Sequence, residues 1–118
     1  MSQSQSNDLG SQPKSFLQSY LIKQNIRTIQ MDGTTYYVAK DVARSFGYAD
    51  ASLRNAINLH CVNRKRVHIK YKSAPIPTTV INLTDLCMFA LRCRLKPSED
   101  LRYWILNKVI ERFQSQSA

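Results

Sequence analysis

The sequence predicts a single α+β domain of short β-hairpins and about four short helices, two of which resemble a helix-turn-helix pair. Three observations predict it. Asp32-Gly33 stands between β-branched and aromatic runs at 26–31 and 35–38, and Asp-Gly supplies the positive φ angles of a tight type I′ turn. The apolar spacing then becomes helical. Ala39, Val42, Ala43 and Phe46 share one face, as do Leu53, Ala56, Ile57 and His60, with Gly47 between the two sets. Finally, Pro97, Glu99 and Asp100 suit the first turn of a last helix whose Ile105, Leu106, Val109, Ile110 and Phe113 fall together.

Residues 1–14 (MSQSQSNDLGSQPK) have almost nothing to bury and read as a disordered lead-in; 15–113 read as the domain and 114–118 as a disordered tail. Phe16, Leu17, Tyr20 and Ile22 are expected to supply a first short strand, followed by the Asp32-Gly33 hairpin. Gly47 stands where a helix C-terminus takes a left-handed residue, and Asp50 is the expected N-cap of the next helix. Beyond Asn63-Arg64-Lys65-Arg66, the alternation Val67-His68-Ile69-Lys70-Tyr71 predicts a half-exposed strand. Ser73-Ala74-Pro75-Ile76-Pro77 is expected to be a loop, because proline lacks the N–H that a ladder needs, and Thr78-Thr79-Val80-Ile81 a return strand. Asn82 or Thr84 is expected to cap a helix over 85–93, where Arg92 and Arg94 suit the negative end of the dipole. The last helix is expected to be core along its apolar face.

Charge supplies the functional signal. The 118 residues carry 17 Lys+Arg against 8 Asp+Glu, a formal net charge of +9, which points to a polyanionic partner. Eight cations and two anions stand between residues 34 and 72, so most of the excess lies in the middle third of the chain. Solvated lysines that merely keep a monomer soluble have less reason to cluster. No apolar run approaches the ~20 residues that span a bilayer, and the Ser/Gln-rich start lacks the apolar block of a secretory signal. Three cysteines without a C-x-x-C suit reduced thiols in an intracellular compartment, as small buried or half-buried side chains rather than metal ligands. The chain has no P-loop, dinucleotide fingerprint or nucleophile elbow, and helix starts or surface positions explain most of its carboxylates. No enzyme activity, metal or cofactor is expected.

On the second helix of the pair, Arg54, Asn55 and Asn58 fall away from Leu53 and Ile57. Arginine pairs with a guanine edge and asparagine with adenine, so this face is the candidate base reader; the plainer alternative is an ordinary solvated face. Arg64, Lys65, Arg66, Lys70 and Lys72, on a loop and one strand, form the candidate phosphate clamp, with Lys40 and Arg44 as further cations of the same segment. Arg64-Lys65-Arg66 also has the composition of a brief nuclear-import signal. Tyr36, Tyr37 and Tyr71 have the chemistry to stack on unpaired bases, although strand aromatics are more often core or cross-strand pairs.

Three stretches carry a further signal. The first is Tyr36-Tyr37-Val38-Ala39-Lys40-Asp41-Val42-Ala43-Arg44-Ser45-Phe46-Gly47-Tyr48. The second runs from Ile81-Asn82-Leu83-Thr84-Asp85-Leu86 through Leu91-Arg92-Cys93-Arg94-Leu95-Lys96-Pro97, and the third is Leu101, Trp104, Ile105, Val109 and Ile110. In order and spacing, over roughly residues 24–113, they resemble the N-terminal domain of the BRO (baculovirus repeated open reading frame) proteins. Similar domains occur in large DNA viruses of eukaryotes and in phage antirepressors. Asp85 stands in place of the family's usual Gly, Cys93 in place of its Ser, and Asn63-Arg64-Lys65-Arg66 in place of an often acidic stretch. The resemblance implies a viral or phage-type DNA-binding domain, acting in the nucleus or cytoplasm of an infected cell. Such a domain usually precedes a variable C-terminal region, so this chain reads as a stand-alone form or a fragment. The resemblance also implies that Trp104, which lies off the main apolar stripe, is a structural side chain covered by the hairpin. The expected partner is double-stranded DNA. The alternatives are RNA or single-stranded DNA, and another DNA-binding protein captured in the manner of an antirepressor.

Overall fold

A computed structural model describes residues 16–71 and 74–117. In chain order these form α1 (16–23), β1 (Thr28–Met31), β2 (Thr34–Val38), α2 (Ala39–Ser45), α3 (Leu53–His60), β3 (Lys65–Tyr71), β4 (Ala74–Ile81), α4 (Leu83–Arg92) and α5 (Glu99–Ser117). Tight 3-10 turns at Asp50–Ser52 and Lys96–Ser98 lead into α3 and α5. The four strands make one antiparallel sheet in the order β1-β2-β4-β3, and with the helices the architecture is α+β, as expected. The lead-in, residues 1–14, lies outside the described residues, as does Lys72.

The first element is a helix, not a strand. Phe16, Leu17, Tyr20 and Leu21 pack against the core at helical spacing, while Ile22 is 77% exposed. Asn25 ends this helix in the left-handed region, φ 56°. The Ile26 N–H bonds the Leu21 carbonyl and the Asn25 N–H that of Ile22, the paired bonds of a Schellman end.

The β1–β2 hairpin forms as the turn chemistry predicts. Pairing runs from Thr28↔Tyr37 to Met31↔Thr34, with Asp32 at φ 52° and Gly33 at φ 77°. α2 ends in a second Schellman motif, with Tyr48 N–H on the Ala43 carbonyl, Gly47 N–H on that of Arg44, and Gly47 at φ 103°. Asp50 does not cap α3. It opens the 3-10 turn, and its carboxylate accepts a hydrogen bond from Arg44 Nε at 3.2 Å instead. Asn82 does cap α4, accepting from the Asp85 N–H at 2.9 Å.

The run containing Pro75 and Pro77 belongs to a strand, where a loop is expected. Pro75 pairs with Lys70 and Pro77 with His68 in the β3–β4 ladder. In an antiparallel ladder, backbone N–H groups of alternate residues point to opposite edges. Two prolines two residues apart therefore leave every donor on the β3 side intact, and their missing N–H groups face the edge that β2 does not reach.

Phe46, Phe89, Ile81, Leu86 and Leu101 fill the core, with Phe46 edge-on to Phe89 at 5.0 Å. In α5 only the first turns are core. Leu101 and Ile105 are buried, but Leu106, Val109, Ile110 and Phe113 are exposed, and the helix continues through 114–117, where a tail is expected. Trp104 is partly buried, and the ring stacked on it is Phe16 of α1, with centroids 5.1 Å apart. Phe16 of α1 thus supplies cover for this ring, a partner that the expectation of a hairpin cover does not include.

Candidate nucleic-acid interface

β2 turns into α2 at Ala39, so β4 pairs with it only through Val80 and Ile81. Residues 74–79 continue with β3 alone as a two-stranded ribbon about 20 Å long at ~3.3 Å per residue. Between this ribbon and α3 lies a cleft of about 570 Å³. Lys40 enters it from the first turn of α2, Arg54 and Asn58 from α3, and Arg66 from β3. Arg54 and Asn58 share a face because they are four residues apart on a helix whose Leu53, Ala56 and Ile57 are buried. Arg27 also lines the cleft, a residue the sequence reading does not single out. Val38, Ile57, Ile69, Ile76, Pro77, Thr78 and Thr79 complete the walls. Among the described residues no acidic side chain lines it.

The sequence pattern of the BRO family, N-terminal domain, matches residues 25–111, most of the chain. This chain belongs to the BRO family. Its N-terminal domains, Bro-N, are a DNA-binding type of domain found in viral and phage proteins. No curated protein and no solved structure matches.

Within this Bro-N domain the first signature stretch, 36–48, is the end of β2, all of α2 and its Schellman turn. Asp41 is 7% exposed, and it accepts from the Arg27 backbone N–H at 3.0 Å, Nε at 2.8 Å and Nη2 at 3.1 Å. The forked pair ties the chain entering β1 to α2 and holds Arg27 at the cleft. Asp85, 1% exposed, accepts from the Asn63 N–H at 2.8 Å and from its side-chain amide at 3.1 Å. This binds the loop that leads into the ribbon to the first turn of α4.

The remaining candidates divide. Lys65 and Lys70 are exposed on the ribbon, Lys65 with Nζ 5.2 Å from the centre of the Tyr36 ring. Asn55 is exposed on α3 outside the cleft lining. Arg44 faces a separate hollow and is held by Asp41 at 3.8 Å and Asp50 at 3.2 Å. Arg64 donates to the carbonyls of Asn58 and Cys61, satisfying the last turn of α3. Lys72 and the side chain of Tyr71 lie outside the described residues. Tyr37 is core, and Tyr36 is half-buried.

The thiols are buried at Cys61 and Cys93 and half-buried at Cys87. Burial, with Asp85 nearby and Arg64 opposing, pushes the Cys61 thiol up to about 12. Among the described residues no group of three His, Cys, Asp or Glu is placed to hold a metal ion, and no helix is long and apolar enough to cross a membrane.

Proposed function

We propose that this Bro-N domain binds double-stranded DNA along the cleft between α3 and the β3–β4 ribbon. The observation that carries this reading is the convergence of Lys40, Arg54, Asn58 and Arg66, from three separate elements, on one cleft with no acidic side chain among its described lining residues. Arg27 is paired with Asp41, but Lys40, Arg54 and Arg66 bring like charge together beside it with no acidic side chain among the described lining residues, an arrangement that a polyanion relieves. Lys40, Arg66, Lys65 and Lys70 neutralise phosphates, with Lys72 as a further cation of the same segment. Arg54 and Asn58, with Asn55 beside them, supply the donors and acceptors that read base edges. Arg44 and Arg64 have structural work instead, one in ion pairs and the other at a helix end. The domain then serves to modulate transcription or replication from the nucleus or cytoplasm of an infected cell.

Competition binding tests this reading. A labelled duplex bound by the chain should be displaced by unlabelled duplex at lower concentration than by single-stranded DNA or RNA of the same sequence. Equal or better displacement by either single strand would transfer the cleft to that polyanion. A chain that binds none of them at low salt, yet captures another DNA-binding protein, would establish the antirepressor-like alternative.

A further inference from the structure

The outer part of β4 carries an apolar run that supplies no phosphate contact, and Ile76 and Pro77 of this run line the cleft. Ala74, Pro75, Ile76 and Pro77 are all exposed, Ile76 to 45%. They lie across the ladder from Tyr71, Lys70, Ile69 and His68, so an apolar strand runs beside a basic one in the part of the ribbon that no other strand flanks. Protection of the open edge accounts for the two prolines, since an edge without N–H donors cannot recruit a passing strand. It does not account for the exposed Ile76, which strand alternation turns to the opposite face, across from Ile69. A ribbon that reads bases in the major groove needs side-chain donors and acceptors, and these four side chains have none. Apolar and proline side chains on a cation-flanked ribbon match another chemistry. Such groups slide between base steps from the minor groove, unstack them and bend the duplex.

Resting on the duplex-binding reading above, we infer that Ile76, beside Ile69 on the cleft face of the ribbon, is a wedge that kinks DNA from the minor groove, on a strand that Pro75 and Pro77 stiffen. Lys65, Arg66 and Lys70 hold the phosphates beside it. The free ribbon, about 20 Å long, spans about six base pairs at ~3.4 Å each, so a duplex seated on α3 and Lys40 continues under the wedge.

The test is a bending measurement on the full chain, using a duplex of about 30 base pairs with a donor and an acceptor dye at its ends. At protein concentrations that saturate the duplex, the parent raises energy transfer. The triple variant Pro75→Ser, Ile76→Ser, Pro77→Ser, at its own saturating concentration, leaves transfer close to that of free DNA. Ile76→Leu, which keeps an apolar wedge and the fold, bends like the parent. A duplex with one mismatched step is already partly unstacked, so the parent should bind it about tenfold or more tighter than the intact duplex. The triple variant should lose that preference. A parent that binds duplex without raising transfer and without mismatch preference would overturn the wedge and leave duplex binding standing. So would a triple variant that bends like the parent. Failure to bind any duplex would instead overturn the reading on which the wedge rests.

Discussion

Gly47 lies directly against Pro97. A β-carbon built on Gly47 would sit 3.0 Å from Pro97 Cγ and 3.2 Å from its Cδ, and Gly47 holds φ 103°. Residues from two separate signature stretches, the Phe46-Gly47-Tyr48 turn and the Lys96-Pro97 turn, therefore meet in one contact that joins the end of α2 to the start of α5. Gly47→Ala meets both a disfavoured backbone and a rigid ring, and should cost about 1–3 kcal/mol of stability. Urea unfolding measures it. Pro97→Ala in the same background should recover part of the loss, and full additivity of the two changes would mean that the contact is not the cause.

Phe16 and Trp104 form the second predicted coupling. Their rings stack at 5.1 Å with planes 18° apart, and Trp104 is the one tryptophan in the sequence. Its fluorescence therefore reports the packing of α1 directly. Phe16→Ala should shift the emission to the red, and a double-mutant cycle with Trp104→Ala should give a coupling of about 0.5–1.5 kcal/mol. An unshifted spectrum would show that α1 does not cover the ring.

His60 should make the fold sensitive to mild acid. Its ring stacks on Phe89 at 5.3 Å, and its Nδ1 is buried without a hydrogen-bond partner in the described structure. Burial, and then the nearby Arg92, lower its pKa below the usual 6.5. The unfolded chain then takes up the proton first. The contribution from neutral His60 is complete above pH 6.5 and is lost as pH falls through that value toward the lower folded pKa. Unfolding midpoints at pH 7.5 and 5.5 should differ in the parent and converge in His60→Phe, which keeps the stack and removes the titration. An equal drop in both proteins would assign the effect to other groups.

Much of this fold is legible in the sequence because it is local. Asp32-Gly33 encodes its turn, Gly47 its helix end, Asn82 its cap, and the spacing of Leu53, Ala56 and Ile57 its buried face. What escapes the sequence depends on distant chain. Pro75 and Pro77 are compatible with a strand only because β2 stops at Val38 and leaves one edge of β4 open. The apolar stripe of α5 does not reveal that Leu101 and Ile105 are buried while Leu106, Val109, Ile110 and Phe113 are exposed. Asn25 closes α1 in a conformation for which glycine is the commoner signal. A count of cations locates the basic segment, but it cannot separate Arg54, which lines the cleft, from Arg64, whose guanidinium donates to α3 carbonyls. The cleft itself arises where β2, α3 and the ribbon diverge, and no single stretch of sequence contains it.

The central claim is that Lys40, Arg54 and Arg66 meet DNA together, and the salt dependence of duplex binding tests it most directly. Each cation that displaces a counterion contributes about 0.9 to the slope of log K against log salt concentration. Lys40→Ala, Arg54→Ala and Arg66→Ala combined should therefore flatten the slope by about two units, from the phosphate contacts of Lys40 and Arg66. Arg44→Ala, whose side chain is held by Asp41 and Asp50, should change it little. A triple variant with the parent's slope, or an Arg44→Ala slope that falls as far as that of the triple variant, would contradict the placement of DNA in this cleft.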